Sequence, residues 1–121
     1  MLLLSVLCSA ATTHAYEFQS GDLYYNITSD NTVEVTYQEH WSKSNYQGLT
    51  TATIPETVTY YGTTYSVTSI GNEAFYGCSS LTKTNYTGDL ASWCAISFST
   101  NYSNPTFYSH NLYINDVEVK D

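Results

Sequence analysis

The stretch Tyr65-Ser-Val-Thr-Ser-Ile-Gly-Asn-Glu-Ala-Phe-Tyr-Gly-Cys-Ser-Ser-Leu81 decides how this chain is read. Val67 and Ile70 are β-branched and suit a short extended segment. Gly71 is expected to turn the chain through a positive φ, which glycine adopts without steric cost. Asn72 is placed as the N-cap of one helical turn holding Ala74 and Phe75, and Gly77 ends that turn as a C′ residue. Cys78 is small and apolar enough to face inward, and Leu81 opens the next extended segment. Inward anchors punctuated by bends are what one turn of a solenoid requires.

Two segments on either side of this turn align with each other. Leu49-Thr-Thr-Ala-Thr-Ile-Pro55 and Leu81-Thr-Lys-Thr-Asn-Tyr-Thr87 each begin with Leu. Ala52 and Thr84 then match as second inward positions, and Ile54 and Tyr86 as third. Their offset is long for a single turn of a solenoid. The excess is accounted for by a hairpin, Val58-Thr-Tyr-Tyr-Gly-Thr-Thr-Tyr65, turning at Tyr61-Gly62. Tyr61 stands there where Asn is preferred for positive φ.

The order Val-x-x-Ile-Gly-x-x-Ala-Phe-x-x-Cys-x-x-Leu over residues 67–81 closely resembles the repeat unit of the BspA-type leucine-rich-repeat proteins. In that family a Leu-x-x-Val-x-Ile-Pro segment is the strand that opens each repeat. The tail Tyr86-Thr-Gly-Asp-Leu-Ala-Ser-Trp-Cys-Ala-Ile96 also resembles a segment of these proteins. The resemblance covers roughly Leu49 to Val119 and includes about one full repeat. It implies a secreted or surface-attached protein acting in adhesion or protein–protein contact, with extracellular or cell-surface proteins as partners.

Outside the repeat, alternation dominates. Leu23, Tyr25 and Ile27, then Val33, Val35 and Tyr37, alternate with polar residues around Ser29-Asp-Asn-Thr32, which reads as a β-hairpin with one buried face. Residues 39–48 read as a polar loop carrying Trp41. Asp89 is expected to cap a short helix burying Leu90, Trp93 and Ile96, which lie three apart. Asn104-Pro105 breaks the chain, and Leu112–Ile114 and Val117–Val119 form a second hairpin around Asn115-Asp116. The expected fold is therefore mainly β: a short leucine-rich-repeat-like solenoid piece with flanking hairpins and one or two short helices. Ile54, Val67, Ile70, Ala74, Phe75, Cys78, Leu81, Leu90, Trp93 and Ile96 are expected to form one buried cluster.

Composition bounds the rest. Residues 1–15 read as a signal peptide: an apolar run too short to span a membrane, then Thr13-His14-Ala15 with small residues at the cleavage positions, although no Lys or Arg precedes the run. Residues 16–48 then form the N-terminal hairpin cap and loop, and 49–121 the repeat-like unit with its C-terminal hairpin, together a single globular domain. Aliphatic residues are scarce, but 13 Tyr and 2 Trp supply the apolar area of a tyrosine-rich core. Three Lys and no Arg against 11 acidic residues, net charge −8, argue against nucleic acid and anionic membranes as partners. No membrane insertion of the mature chain is expected.

Catalytic chemistry finds no assembled constellation. His40 and His110 lack a neighbouring nucleophile motif, and Cys78 and Cys94 lack a paired metal-ligand spacing. No cofactor or metal is expected, and no enzymatic activity. Cys78 and Cys94 are read either as a disulfide or as buried free thiols. Three sequons, at Asn26, Asn85 and Asn101, are read as chance matches in a Thr- and Ser-rich chain. The outward positions Thr51, Thr53, Lys83 and Asn85 form the expected protein-binding surface. Trp41 is the expected contact in the alternative reading, a glycan-binding module using exposed aromatic side chains.

Overall fold

The alternation seen in the sequence becomes two sheets in the computed structural model, which describes residues 16–38, 46, 48–71 and 74–120. Residues 1–15, read above as a signal peptide, lie outside the described residues, as do His40, Trp41 and Asn72. The first sheet contains β1 (Phe18–Ser20), β2 (Leu23–Ser29), β3 (Thr32–Thr36), β5 (Thr57–Tyr60), β6 (Thr63–Ile70) and β8 (Ser97–Phe98). The second contains β4 (Thr51–Ile54), β7 (Lys83–Tyr86), β9 (Tyr113–Ile114) and β10 (Val117–Glu118). Two short helices, α1 (Leu90–Cys94) and α2 (Thr106–Ser109), and a 3₁₀ turn at Asn101–Ser103 complete the described elements.

The strands stack as parallel rungs. In the second sheet β4 pairs with β7 in the register Thr51↔Lys83, Ala52↔Thr84, Thr53↔Asn85 and Ile54↔Tyr86, which is the alignment read from the sequence. A third rung follows, Asn85↔Tyr113 and Tyr86↔Ile114. The first sheet repeats the pattern: β3 is parallel to β6 (Val33↔Val67, Val35↔Ile70), and β6 to β8 (Ile70↔Phe98). Among the described residues the solenoid thus has three rungs, where the sequence displays about one repeat. The first rung is hidden because β3 also serves as half of the β2–β3 hairpin. The third is hidden because β8 has only two residues.

Hairpins flank these rungs as expected. β5 and β6 turn at Tyr61 (φ 48°) and Gly62 (φ 79°), and β9 and β10 at Asn115 (φ 50°) and Asp116 (φ 67°). Both turns carry positive φ at the two central positions, the handedness that matches strand twist. Tyr61 accepts that conformation while 90% exposed, its ring resting 4.5 Å from that of Tyr60.

One expectation about Gly71 is corrected. Gly77 takes the positive φ (77°), but Gly71 does not. Its N–H donates to the Val35 carbonyl at 2.8 Å, and a Cβ there would lie 3.2 Å from that same oxygen. Glycine at 71 therefore serves close approach between rungs, where a side chain would press on backbone.

Nine of the ten expected core residues are buried in one cluster, including Ile54, Ile70 and Phe75, which have no exposed surface. Leu90 is the exception at 46% exposure. Asp89 does cap the helix, its carboxylate accepting from the Ser92 N–H at 2.8 Å and held below the usual carboxylate range mainly by that bond. The helix has only five residues, however, so no continuous stripe extends from Leu90 through Trp93 to Ile96. Tyrosines complete the core: Phe18 stacks on Tyr60 and Tyr25, Tyr46 on Phe75, and Trp93 lies between Tyr86 and Phe98. Tyr46 falls within a stretch read as polar loop, yet it is buried, and its hydroxyl accepts from the Tyr24 N–H at 2.9 Å and donates to the Thr36 carbonyl at 2.6 Å.

Candidate functional site

Alternation along β4 and β7 turns Ala52, Ile54, Thr84 and Tyr86 into the core and leaves the intervening positions to the outer face. The parallel register sets Thr51 beside Lys83, and continues from Thr53 through Asn85 to Tyr113. Thr53 is exposed, while Thr51, Lys83 and Tyr113 are half-buried. Lys83 reaches across the third rung: its Nζ lies 3.3 Å from a carboxylate oxygen of Asp116 and 4.5 Å from the centre of the Tyr113 ring. An exposed ion pair of this kind adds about 0–1 kcal/mol, so it orients Lys83 more than it stabilises the fold.

Asn85 does not join this exposed surface. It is 6% exposed, and its Oδ1 accepts from the Asp116 N–H at 2.8 Å, fastening the β9–β10 turn to the second rung. That burial also leaves no room for a glycan on its sequon. Tyr113 and Asp116 belong to the face and were not selected from sequence. The signal that could have found Tyr113 is its place in the Leu112–Ile114 strand, one rung below Asn85. Trp41, the other expected contact, lies outside the described residues.

His110 is exposed and ends α2 in the left-handed conformation, its N–H donating to the Thr106 carbonyl. Burial pushes the Tyr25 and Tyr46 hydroxyls well above the usual phenol range. Among the described residues no group of three or more His, Cys, Asp or Glu side chains could hold a metal ion, and no helix is long and apolar enough to cross a membrane.

Among the described residues two cysteines, Cys78 and Cys94, are free and differ sharply. Cys78 is buried, its thiol pushed up to about 11 by desolvation, whereas Cys94 is exposed on α1, which corrects the reading of both as buried. Thiolate is the reactive form. A maleimide at neutral pH should therefore label Cys94 in the native protein and Cys78 only after denaturation, as peptide mapping would show. Equal labelling of both in the native state would contradict the packing around Cys78.

No protein-family model matches the chain, and no curated protein does. Solved structures similar to it include a leucine-rich repeat protein from Bacteroides ovatus, 34% identical over 58% of this chain and 17% of that one, TM-score 0.46. A leucine rich cell surface protein from Faecalibacterium prausnitzii is 21% identical over 63% of this chain and 24% of that one, TM-score 0.40. A leucine-rich repeat protein from Bacteroides capillosus is 20% identical over 80% of this chain and 96% of that one, TM-score 0.38. The chain thus spans only 17% and 24% of the lengths of the first two proteins.

Proposed function

We propose that this chain is a non-enzymatic binding module of a secreted or cell-surface protein, of the BspA type, that makes protein–protein contact through the outer face of its second sheet. The observation that carries this reading is the parallel register that brings Thr51, Thr53, Lys83 and Tyr113 onto one face from three successive rungs. Stacked rungs give an extended, rigid surface, and rigidity lowers the entropic cost of association. Lys83 on Tyr113 supplies a cation and an aromatic ring together in an otherwise acidic chain. The export reading rests on residues 1–15, and the BspA-type reading on the pattern over residues 67–81.

A panel of purified extracellular-matrix and cell-surface proteins, immobilised and probed with the chain, tests this. For a protein that binds the wild type, Lys83→Glu should weaken affinity by about tenfold or more, as expected for a central contact. Thermal melting should move little, because the lost ion pair is exposed. Full affinity in a Lys83→Glu, Thr53→Arg double variant would remove this face from the interface.

A further inference from the structure

Away from the second sheet's outer face, on the side where turns connect the two sheets, three large aromatic side chains are exposed next to one another. Tyr76 (41% exposed) follows the Phe75 turn, Tyr102 (49%) lies in the 3₁₀ turn, and Phe107 (46%) lies in α2. Their rings meet edge to face, Tyr76 to Tyr102 at 5.8 Å between centres and Tyr102 to Phe107 at 5.0 Å. The backbone beneath them is tied down. The Gly77 N–H donates to the Tyr108 hydroxyl at 2.9 Å, joining the two turns. Ser103 Oγ accepts from the Thr100 N–H and donates to its carbonyl, and Asn104 Oδ1 accepts from both the N–H and the hydroxyl of Thr106.

The chemistry of the surrounding sequence is as informative as the rings. In a chain of net charge −8, residues 74–82 and 95–115 contain no Asp, Glu, Lys or Arg. They are rich instead in Ser, Thr and Asn. A ring that buries roughly 150–250 Å² when fully covered offers a little under half of that here, so the three together present about 300 Å². A stable protein interface needs about 800 Å² from each partner. The cluster is too small for that and is the right size for a few sugar rings.

We propose that the Tyr76–Tyr102–Phe107 cluster binds a neutral oligosaccharide. The C–H bonds of a pyranose carry partial positive charge and pack against the electron-rich faces of aromatic rings. Sugar hydroxyls find donors and acceptors in the two phenols. Residues 74–82 and 95–115 offer uronic acids, sulfated sugars and amines no Asp, Glu, Lys or Arg to pair with, so such ligands would lose hydration there without gaining a counter-charge from them. This is a second site, independent of the protein-binding face.

Neutral hexose oligosaccharides of several linkages, with a heparin oligosaccharide as anionic control, can be titrated calorimetrically into the protein. At least one neutral series should bind and heparin should not. Tyr102→Ala and Phe107→Ala should each weaken binding by about tenfold, the loss of one well-buried aromatic contact. Tyr102→Phe, which keeps the ring, should retain most of it. Tyr61→Ala at the remote β5–β6 turn and Lys83→Glu on the other face should leave sugar affinity unchanged, and Lys83→Glu, which is expected to weaken only protein binding, separates this result from the fate of the protein-binding reading. Circular dichroism spectra of all variants should superpose. The proposal is overturned if no neutral sugar binds, if heparin alone binds, or if affinity survives Tyr102→Ala in the folded variant. It is equally overturned if the wild type self-associates through Phe107 and binds no sugar.

Discussion

Phe75→Ala is expected to remove about 3–5 kcal/mol of folding stability, the usual cost of emptying an aromatic site in a packed core. Phe75 has no exposed surface, and its ring lies 4.9 Å from that of Tyr46, which in turn ties β2 and β3 together through its hydroxyl. Loss of the ring therefore loosens the second rung and the first together. A domain of this size has about 5–15 kcal/mol in total, so the variant should be marginal or unfolded at room temperature. Thr53→Ala, at an exposed position of β4, is the matched control and should melt with the wild type. Equal melting temperatures for the two variants would mean that the Ala-Phe turn is not the anchor described.

The second large effect is expected at Gly88. A Cβ there would stand 2.6 Å from a Tyr86 ring carbon and 2.8 Å from its hydroxyl, closer than real atoms pack. The ring cannot swing away cheaply, because Tyr86 is 1% exposed and packs against Trp93 at 5.4 Å. Gly88→Ala should cost about 1–3 kcal/mol, the range for overpacking a filled site. Gly48→Ala provides the contrast, since a Cβ at 48 meets nothing within 4 Å. Chemical denaturation of the pair would decide it: a Gly88→Ala midpoint equal to that of Gly48→Ala would refute the close approach of Tyr86 to residue 88.

How much of this was legible follows from how far apart the determining residues lie. The second rung could be read because its punctuation, from Ile70 through Gly77 to Leu81, is local. The β4–β7 register could be read because two Leu-initiated segments repeat the same inward spacing. Parallel pairing of β3 with β6 and of β6 with β8 leaves no comparable local mark, so the first sheet's side of the ladder went unseen. Tyr46 was concealed by polar neighbours, although its hydroxyl satisfies a backbone donor and acceptor that burial would otherwise leave unpaired. In the outer face, period-two alternation was enough for Thr51, Thr53 and Lys83. It failed at Asn85, whose burial depends on a turn at Asp116 that no neighbour in sequence announces. The aromatic cluster was missed for the same reason, since Tyr76 meets Tyr102 and Phe107 only once the rungs stack.

The parallel ladder has a consequence for how the chain reaches its fold. Every rung-to-rung contact, such as Thr51 with Lys83 or Asn85 with Tyr113, closes a loop of about thirty residues before any pairing is gained. The β2–β3, β5–β6 and β9–β10 hairpins close only a few residues each and can form in about 1–10 μs. Folding is then a two-tempo process, with hairpins first and ladders on the millisecond-to-second scale typical of proteins dominated by distant contacts. In that interval the hairpins hold β3, β6 and β9 already extended, so that each later rung finds a preformed edge to dock on.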